Sequence, residues 1–181
     1  PLFYRLLLRI DRVLSQKQYW GRVSTAVVRY PAHFHFATEY LQKQYGDDVR
    51  WAMAGRSAEK LAAVRDEMGV SGDVELIVAN SDQPDTLADM AARTKAVITT
   101  VGPYQLYGEP LLKACAEGGT DYVDLCGEPP WMHDTVAQFS QAANASGARI
   151  VHSCGFDSIP FDLGVYFLQQ AASKKFDAPC T

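Results

Sequence analysis

Hydrophobic and polar positions along the chain follow two different periods. Short runs rich in valine, isoleucine and alanine are typical of buried strands, and the stretches between them carry apolar residues at helical spacing. The runs predict six strands, at residues 26–28, 49–54, 74–79, 96–101, 122–126 and 149–153. The predicted helices between them begin at residues such as Ser57 and Pro84 and end at glycines such as Gly147.

This alternation of strands and helices predicts an α/β fold. It is typical of βαβ units, and right-handed crossovers then produce a doubly wound, mainly parallel sheet. Ligands of such sheets bind beyond the carboxyl ends of the strands. We therefore expect the loops at 54–57, 100–104, 124–128 and 155–160 to gather along one edge of the sheet and to carry the chemistry.

Residues 2–14 form a separate pattern at the amino-terminal end. Apolar residues recur there at helical spacing, with Arg5, Arg9 and Arg12 on the opposite side. Such a stretch is a helix packed on the domain, a disordered extension, or a basic helix that lies on a membrane surface. We favour the first two interpretations, because charge and length alone rarely specify a membrane anchor.

Composition narrows the classes of function. The chain has 181 residues, a formal charge of −4 and 48% hydrophobic residues, which suits a soluble α/β domain and argues against a nucleic-acid partner. No apolar run reaches the roughly 20 residues that span a bilayer. The four cysteines are widely spaced, which predicts packed, reduced thiols in a cytoplasmic protein and no metal site.

The loop after the second strand carries a candidate for cofactor binding. Sheets that bind NAD usually place an acidic residue here for the ribose hydroxyls, whereas this chain has Gly55, Arg56 and Ser57. A guanidinium binds a 2′-phosphate through paired hydrogen bonds, and Ser57 adds a hydroxyl at a helix start. The alternative is an exposed arginine before an ordinary cap. We favour a preference for NADP.

The loops after the later strands supply further candidates. Thr100, Val101, Gly102 and Pro103 follow the fourth strand, where a glycine lets a ligand approach the backbone, and we expect them along the cofactor near its nicotinamide. The alternative is a plain turn that ends the strand. Glu128 and Asp157 follow the fifth and sixth strands and either face the substrate or cap the next helix. 

Several motifs together resemble a known family. They read AGRS at 54–57, VGPY at 101–104, YGEP at 107–110, YVDLCGE at 122–128 and GFDSIP at 155–160. Over residues 38–168 the chain resembles the saccharopine dehydrogenase-like oxidoreductases, and among them the trans-acting enoyl reductase group. The resemblance implies a Rossmann-like NADP-binding domain over 25–164 and reduction of an acyl-lipid or related small-molecule substrate.

The same resemblance implies how the chain is divided. Residues 1–24 do not match the family and form an amino-terminal extension, and residues 165–181 would begin a second domain that is cut off. Reduction of an enoyl group needs a proton as well as a hydride. Tyr104 and Asp157 are the candidate catalytic residues that would supply it.

The chain departs from this family where the phosphates should bind. The family has a glycine-rich loop after the first strand, whereas no glycine occurs between Gly21 and Gly46, and Pro31 to Phe36 stand in its place. His33 and His35 lack an evident third metal ligand. We therefore expect the chain as it stands to bind NADPH poorly and to be inactive. A decayed, non-catalytic Rossmann module and a lipid- or membrane-associated interaction protein remain the alternatives.

Overall fold

The computed structural model describes residues 23–28, 31–45 and 48–180. Within them the strands are β1 (Val23–Val28), β2 (Trp51–Gly55), β3 (Glu75–Val78), β4 (Thr94–Thr99), β5 (Asp121–Asp124) and β6 (Ile150–Val151). The helices are α1 (Pro31–Tyr45), α2 (Ala58–Glu67), α3 (Pro84–Arg93), α4 (Tyr104–Tyr107), α5 (Glu109–Gly118), α6 (Pro129–Ser146) and α7 (Ile159–Phe176).

The six strands form one parallel sheet in the order β3-β2-β1-β4-β5-β6. Val27 of β1 pairs with Met53 of β2 on one side and with Ile98 of β4 on the other. The chain builds outward from β1 in one direction and then, from β4, in the other, so the order reverses between these two strands. The predicted doubly wound, mainly parallel α/β sheet is confirmed, and ligands of such sheets bind at this reversal.

The core lies on both faces of the sheet. Successive side chains of β2 point to opposite faces of the sheet. Ala52 and Ala54 belong to the buried cluster on one face, and Trp51 and Met53 belong to the cluster on the other. Helices α1 and α2 cover the second face, while α3, α5 and α6 cover the first. Burial on both faces explains why the strands read as nearly continuous apolar runs.

Local signals set the helix ends as predicted. The Ser57 hydroxyl accepts a hydrogen bond of 3.2 Å from the Lys60 N–H and caps α2. Pro84 occupies the first turn of α3. Gly147 ends α6 with φ 81°, a left-handed conformation that favours glycine.

The structure bears on the two predicted boundaries of the chain to different extents. The predicted helix at 2–14 and the extension at 1–24 lie almost wholly outside the described residues, apart from the first residues of β1. The boundary predicted between 164 and 165 falls inside α7, which runs unbroken from Ile159 to Phe176. The second domain therefore stays a prediction. None of the helices among the described residues is long and apolar enough to cross a membrane.

Candidate functional site

A cavity of about 760 Å³ opens at the carboxyl ends of β2, β3 and β4. Three loops line it, those after β2, after β3 and after β4, together with the start of α5. Its polar and loop residues include Gly55, Arg56, Ser57, Lys60, Asn80, Ser81, Asp82, Thr99, Val101, Gly102, Pro103, Tyr107 and Gly108. The structure thus brings the candidates of two separate predicted loops into one cavity.

The first wall of the cavity is the β2–α2 turn. Gly55 is buried, and its carbonyl accepts a hydrogen bond of 3.0 Å from the Ala79 N–H of the β3 side. Arg56 is exposed at the cavity, and Ser57 is half-buried beside it. Lys60 also lines this wall, one helical turn after Arg56. Sequence reasoning missed Lys60, although its spacing from Arg56 was a usable signal.

The second wall is the turn after β3, which sequence reasoning did not single out. The Asn80 side-chain oxygen accepts a hydrogen bond of 3.2 Å from the Asp82 N–H, and the Asn80 N–H donates to the Thr86 hydroxyl at 3.0 Å. These bonds fix the turn from both ends. The rule that ligands bind after strands applied here too, and it would have found Asn80 and Ser81.

The third wall follows β4. Val101, Gly102 and Pro103 line the cavity, and the Val101 N–H donates to the Thr99 hydroxyl at 3.3 Å. Thr100 is only 4% exposed and does not line it. This loop was expected beside the nicotinamide, yet it shares its cavity with Arg56 and the turn after β3. 

Tyr104 begins α4 and turns its side chain into the protein. It is 3% exposed, and its ring centroid lies 5.5 Å from that of Trp131. The Tyr104 hydroxyl donates to the Thr99 carbonyl at 3.1 Å and accepts from the Leu125 N–H at 3.3 Å. Burial raises the pKa of Tyr104 far above the ordinary tyrosine value. Its side chain does not line the cavity.

Glu128 connects two of the loops at this edge. Its carboxylate accepts hydrogen bonds from the Tyr104 N–H at 2.7 Å and the Gln105 N–H at 2.9 Å. Although Glu128 immediately precedes α6, its side chain makes no capping bond to that helix. Of the two roles considered for Glu128, capping of the following helix is therefore wrong, because its carboxylate instead caps α4 from a different loop.

A buried cluster ties the loop after β5 to the loop after β6. One Asp124 oxygen accepts from the Cys126 N–H at 3.0 Å and the Ser153 N–H at 2.9 Å, and the other lies 2.7 Å from Nδ1 of His152. Nε2 of His152 lies 3.4 Å from the Thr135 hydroxyl. Asp124 is 2% exposed, so this cluster holds loops together within the protein interior.

The two cysteines of this edge are packed thiols, as predicted. Cys126 and Cys154 are both buried and unbridged. Burial raises the pKa of Cys126 to about 11, which keeps it protonated at neutral pH. Among the residues that the structure describes, no three His, Cys, Asp or Glu side chains are grouped to hold a metal ion.

Asp157 lies in the loop between β6 and α7 and is exposed. The residue at the start of α7 is Ser158, so Asp157 is not the capping residue that was considered as its alternative role. It does not line the described cavity. Its carboxylate is thus accessible at the same edge of the sheet but outside that cavity.

The residues of the first wall fit a 2′-phosphate. Two cationic residues, Arg56 and Lys60, line this wall together with Ser57, and no carboxylate follows β2 directly. Among the described lining residues Asp82 carries the only carboxylate, and it belongs to the turn after β3. The β1–α1 junction at 29–30 and the side chains of 31–34 lie outside the described residues, and so does the predicted crowding of the phosphate cradle.

Sequence comparisons relate this chain to known proteins. Residues 35–151 match the family described as the saccharopine dehydrogenase NADP-binding domain. A trans-acting enoyl reductase of Mycobacterium ulcerans is 48% identical over 132 residues, which are 72% of this chain and 32% of that protein. One of Mycobacterium bovis is 51% identical over 124 residues, 68% of this chain and 30% of that protein. The chain therefore spans about a third of the length of these relatives.

Solved structures share the fold at low sequence identity. Apo saccharopine dehydrogenase (L-Glu forming) from Saccharomyces cerevisiae superposes with a TM-score of 0.65 at 16% identity, over 83% of this chain and 31% of that chain. Triphenylmethane reductase of Citrobacter sp., complexed with NADP(H), gives 0.52 at 15% identity, over 82% and 56%. The family match covers well over half of the chain and confirms the predicted resemblance. The chain belongs to the saccharopine dehydrogenase NADP-binding domain family, and its cofactor is NADP.

Proposed function

We propose that this chain is the cofactor-binding part of an NADP-dependent oxidoreductase of the trans-acting enoyl reductase type, with an acyl-lipid or related small molecule as substrate. The observation that carries the proposal is the cavity wall of Arg56, Ser57 and Lys60 at the carboxyl end of β2. Its relatives of about 50% identity are trans-acting enoyl reductases, which supports the reaction type.

Each residue of this wall has a separate role in the proposal. The Arg56 guanidinium and the Lys60 ammonium hold the 2′-phosphate by charge, and Ser57 contributes its hydroxyl from the start of α2. Gly102 and Pro103 line the cavity after β4, where neither of these two residues places a long side chain against the cofactor. When bound, NADPH supplies the hydride for reduction.

The source of the proton stays a prediction. Asp157 and Tyr104 are the two candidates, and they differ in access. The Asp157 carboxylate is exposed, whereas the Tyr104 hydroxyl is buried and bonded to Thr99 and Leu125. Accessibility therefore favours Asp157, which would donate as the neutral carboxylic acid and regain its proton from solvent, and it favours Tyr104 as a residue that holds the loop.

A second candidate function is a Rossmann module that no longer uses its cofactor. The observation that favours it is the run without glycine from 22 to 45, because backbone N–H groups of a glycine loop normally cradle the pyrophosphate. A third, contact with a lipid surface through residues 2–14, rests on a segment outside the described residues. The cavity and the family match favour the first function.

The test is a titration with NADPH and NADH. We expect weak NADPH binding to the unmodified chain and tighter binding once a glycine loop is grafted at 29–36. In either chain, Arg56→Ala should weaken NADPH binding by about 1–3 kcal/mol and leave NADH unchanged, because a charge-assisted bond to the 2′-phosphate is lost. Arg50→Ala is the matched control, since Arg50 precedes β2 at the opposite end of the strand.

Two results would contradict the proposal in different ways. Equal weakening of NADPH and NADH by Arg56→Ala would show that Arg56 does not read the 2′-phosphate. Failure of NADPH to bind even after the graft would support the module that has lost its cofactor.

A further inference from the structure

One wall of the cavity is held by a residue that does not itself line it. Residues 101–103, Tyr107 and Gly108 form this wall, between the end of β4 and the start of α5. We infer that Glu128, on the β5–α6 loop, is the positioning residue that fixes this wall against the cofactor. The inference rests on the proposed binding of NADP in the cavity.

Glu128 makes a paired contact with the wall. Its two carboxylate oxygens accept separate hydrogen bonds, from the N–H groups of Tyr104 at 2.7 Å and of Gln105 at 2.9 Å. These N–H groups begin α4, a helix of four residues, and have no acceptor within the helix. A carboxylate on two backbone donors is a charge-assisted pair, stronger than bonds between neutral groups.

Further contacts attach the same wall to the residues around Glu128. The Tyr104 hydroxyl accepts a hydrogen bond from the Leu125 N–H, and the Tyr104 ring packs on Trp131. A Cβ at Gly108 would lie 2.8 Å from the Trp131 ring of α6. The backbone at Gly108 therefore packs too close to this ring for any larger residue. The segment 99–108 therefore takes its position from residues 125–131.

The opposite wall does not depend on Glu128. Arg56, Ser57 and Lys60 belong to the β2–α2 turn, which is anchored by the Gly55–Ala79 backbone bond. The sheet does not depend on it either, since β4 and β5 pair along their lengths from Ala96↔Asp121 to Thr99↔Asp124. Loss of the Glu128 pair should thus release one wall and leave the other wall and the sheet in place.

The first arm of the test is amide hydrogen exchange, detected by NMR, without ligand. Glu128→Gln keeps the shape but sets an NH₂ group against a backbone donor. We expect exchange at Tyr104 and Gln105 to accelerate about tenfold, with strand amides of β4 unchanged. Glu117→Gln, the same change at an exposed site on α5, is the control and should change neither. Glu128→Asp, too short to reach both donors, is the second variant should Glu128→Gln fail to fold.

The second arm repeats the measurement at millimolar NADPH. In the unmodified chain we expect NADPH to protect both 55–60 and 101–108. For Glu128→Gln we expect the Kd for NADPH to rise about tenfold; with NADPH raised tenfold to restore occupancy, protection at 55–60 should persist and protection at 101–108 should be lost. A residue that only stabilised the fold would change both walls together, whereas a positioning residue changes one.

The outcomes separate the two proposals. If NADPH protects both walls equally in Glu128→Gln and in the unmodified chain, the inference is overturned and the proposed function stands. If NADPH protects neither wall even in a chain that carries the grafted glycine loop at 29–36, the proposed function fails. The ligand-free arm then decides the inference by itself: selective opening of 104 and 105 supports it, and unchanged exchange overturns it.

Discussion

Arg56 and Tyr104 were both predicted from their positions after a strand, and they have opposite surroundings in the fold. Arg56 is exposed at the cavity, because a guanidinium stays hydrated unless it is paired. Tyr104 is buried against Trp131, where its hydroxyl finds two partners. Position after a strand thus indicates the edge of the sheet at which a residue lies. It does not indicate the direction of the side chain.

The cysteines give a prediction at this scale. Cys115, Cys126 and Cys154 are buried and Cys180 is exposed, and burial raises the pKa of Cys126 to about 11. Because the thiolate is the reactive form, we expect iodoacetamide at neutral pH to alkylate Cys180 first. Mass spectrometry of the labelled peptides measures this order.

The control for thiol labelling is the unfolded chain, in which all four cysteines should react at similar rates. The raised pKa of Cys126 also makes the stability of the fold depend on pH. Burial of the neutral thiol contributes to the free energy of unfolding in full below the ordinary thiol pKa, and this contribution is lost as the pH rises through about 11. Alkylation of Cys126 as fast as Cys180 in the folded chain would show that its thiol is accessible.

At the scale of elements, the helix ends are set by residues close in sequence, whereas the end of a strand can be set by contacts with residues far away in sequence. The cap at Ser57 and the stop at Gly147 involve residues within a few positions of each other. Strand β6 was expected over 149–153 but comprises only Ile150 and Val151. The physical reason is that the Ser153 N–H is bonded to Asp124, and Ser153 adopts a left-handed φ of 57°, which leaves the ladder.

Two glycines give a matched prediction for the α4–α5 corner. A Cβ at Gly108 would lie 2.8 Å from Trp131 and 2.9 Å from the Tyr104 carbonyl, whereas nothing lies within 4 Å of one at Gly118. We expect Gly108→Ala to lower the free energy of unfolding by about 1–3 kcal/mol. Gly118→Ala, inside α5, should raise it by up to about 1 kcal/mol. Urea denaturation measures both.

An equal effect of the two alanines would contradict the packing argument. It would mean that Trp131 and α6 move away without cost. The slope of the urea transition serves as the control, because an unchanged slope shows that both variants unfold from the same compact state.

At the scale of the whole molecule, α7 stands apart from the two buried clusters. Phe161 is 75% exposed and Phe167 74%, and Ala172 is the buried residue of this helix. Exposed apolar patches of this kind are uncommon on monomeric domains. The chain also spans about a third of the length of its relatives, which keeps the predicted second domain a proposal.

This surface predicts dye binding. We expect the chain to enhance the fluorescence of 8-anilinonaphthalene-1-sulfonate, and the double variant Phe161→Ser, Phe167→Ser to reduce the signal roughly by half. Its thermal unfolding should stay nearly unchanged, since neither ring is buried. Phe36→Ser, at an exposed phenylalanine of α1, is the control and should reduce the signal much less. Full retention of the signal by the double variant would place the dye elsewhere.

By itself the sequence determined the parallel α/β fold, the starts and ends of most helices and the edge of the sheet at which the candidate loops lie. These follow from hydrophobic periodicity and capping, which act between residues a few positions apart. Only the tertiary structure decided that the turns after β2, β3 and β4 share one cavity, that Tyr104 is buried, and that Glu128 bonds the N–H groups at 104 and 105. Glu128 and Tyr104 are 24 residues apart, and they meet because β4 and β5 are neighbours in the sheet and end at the same edge.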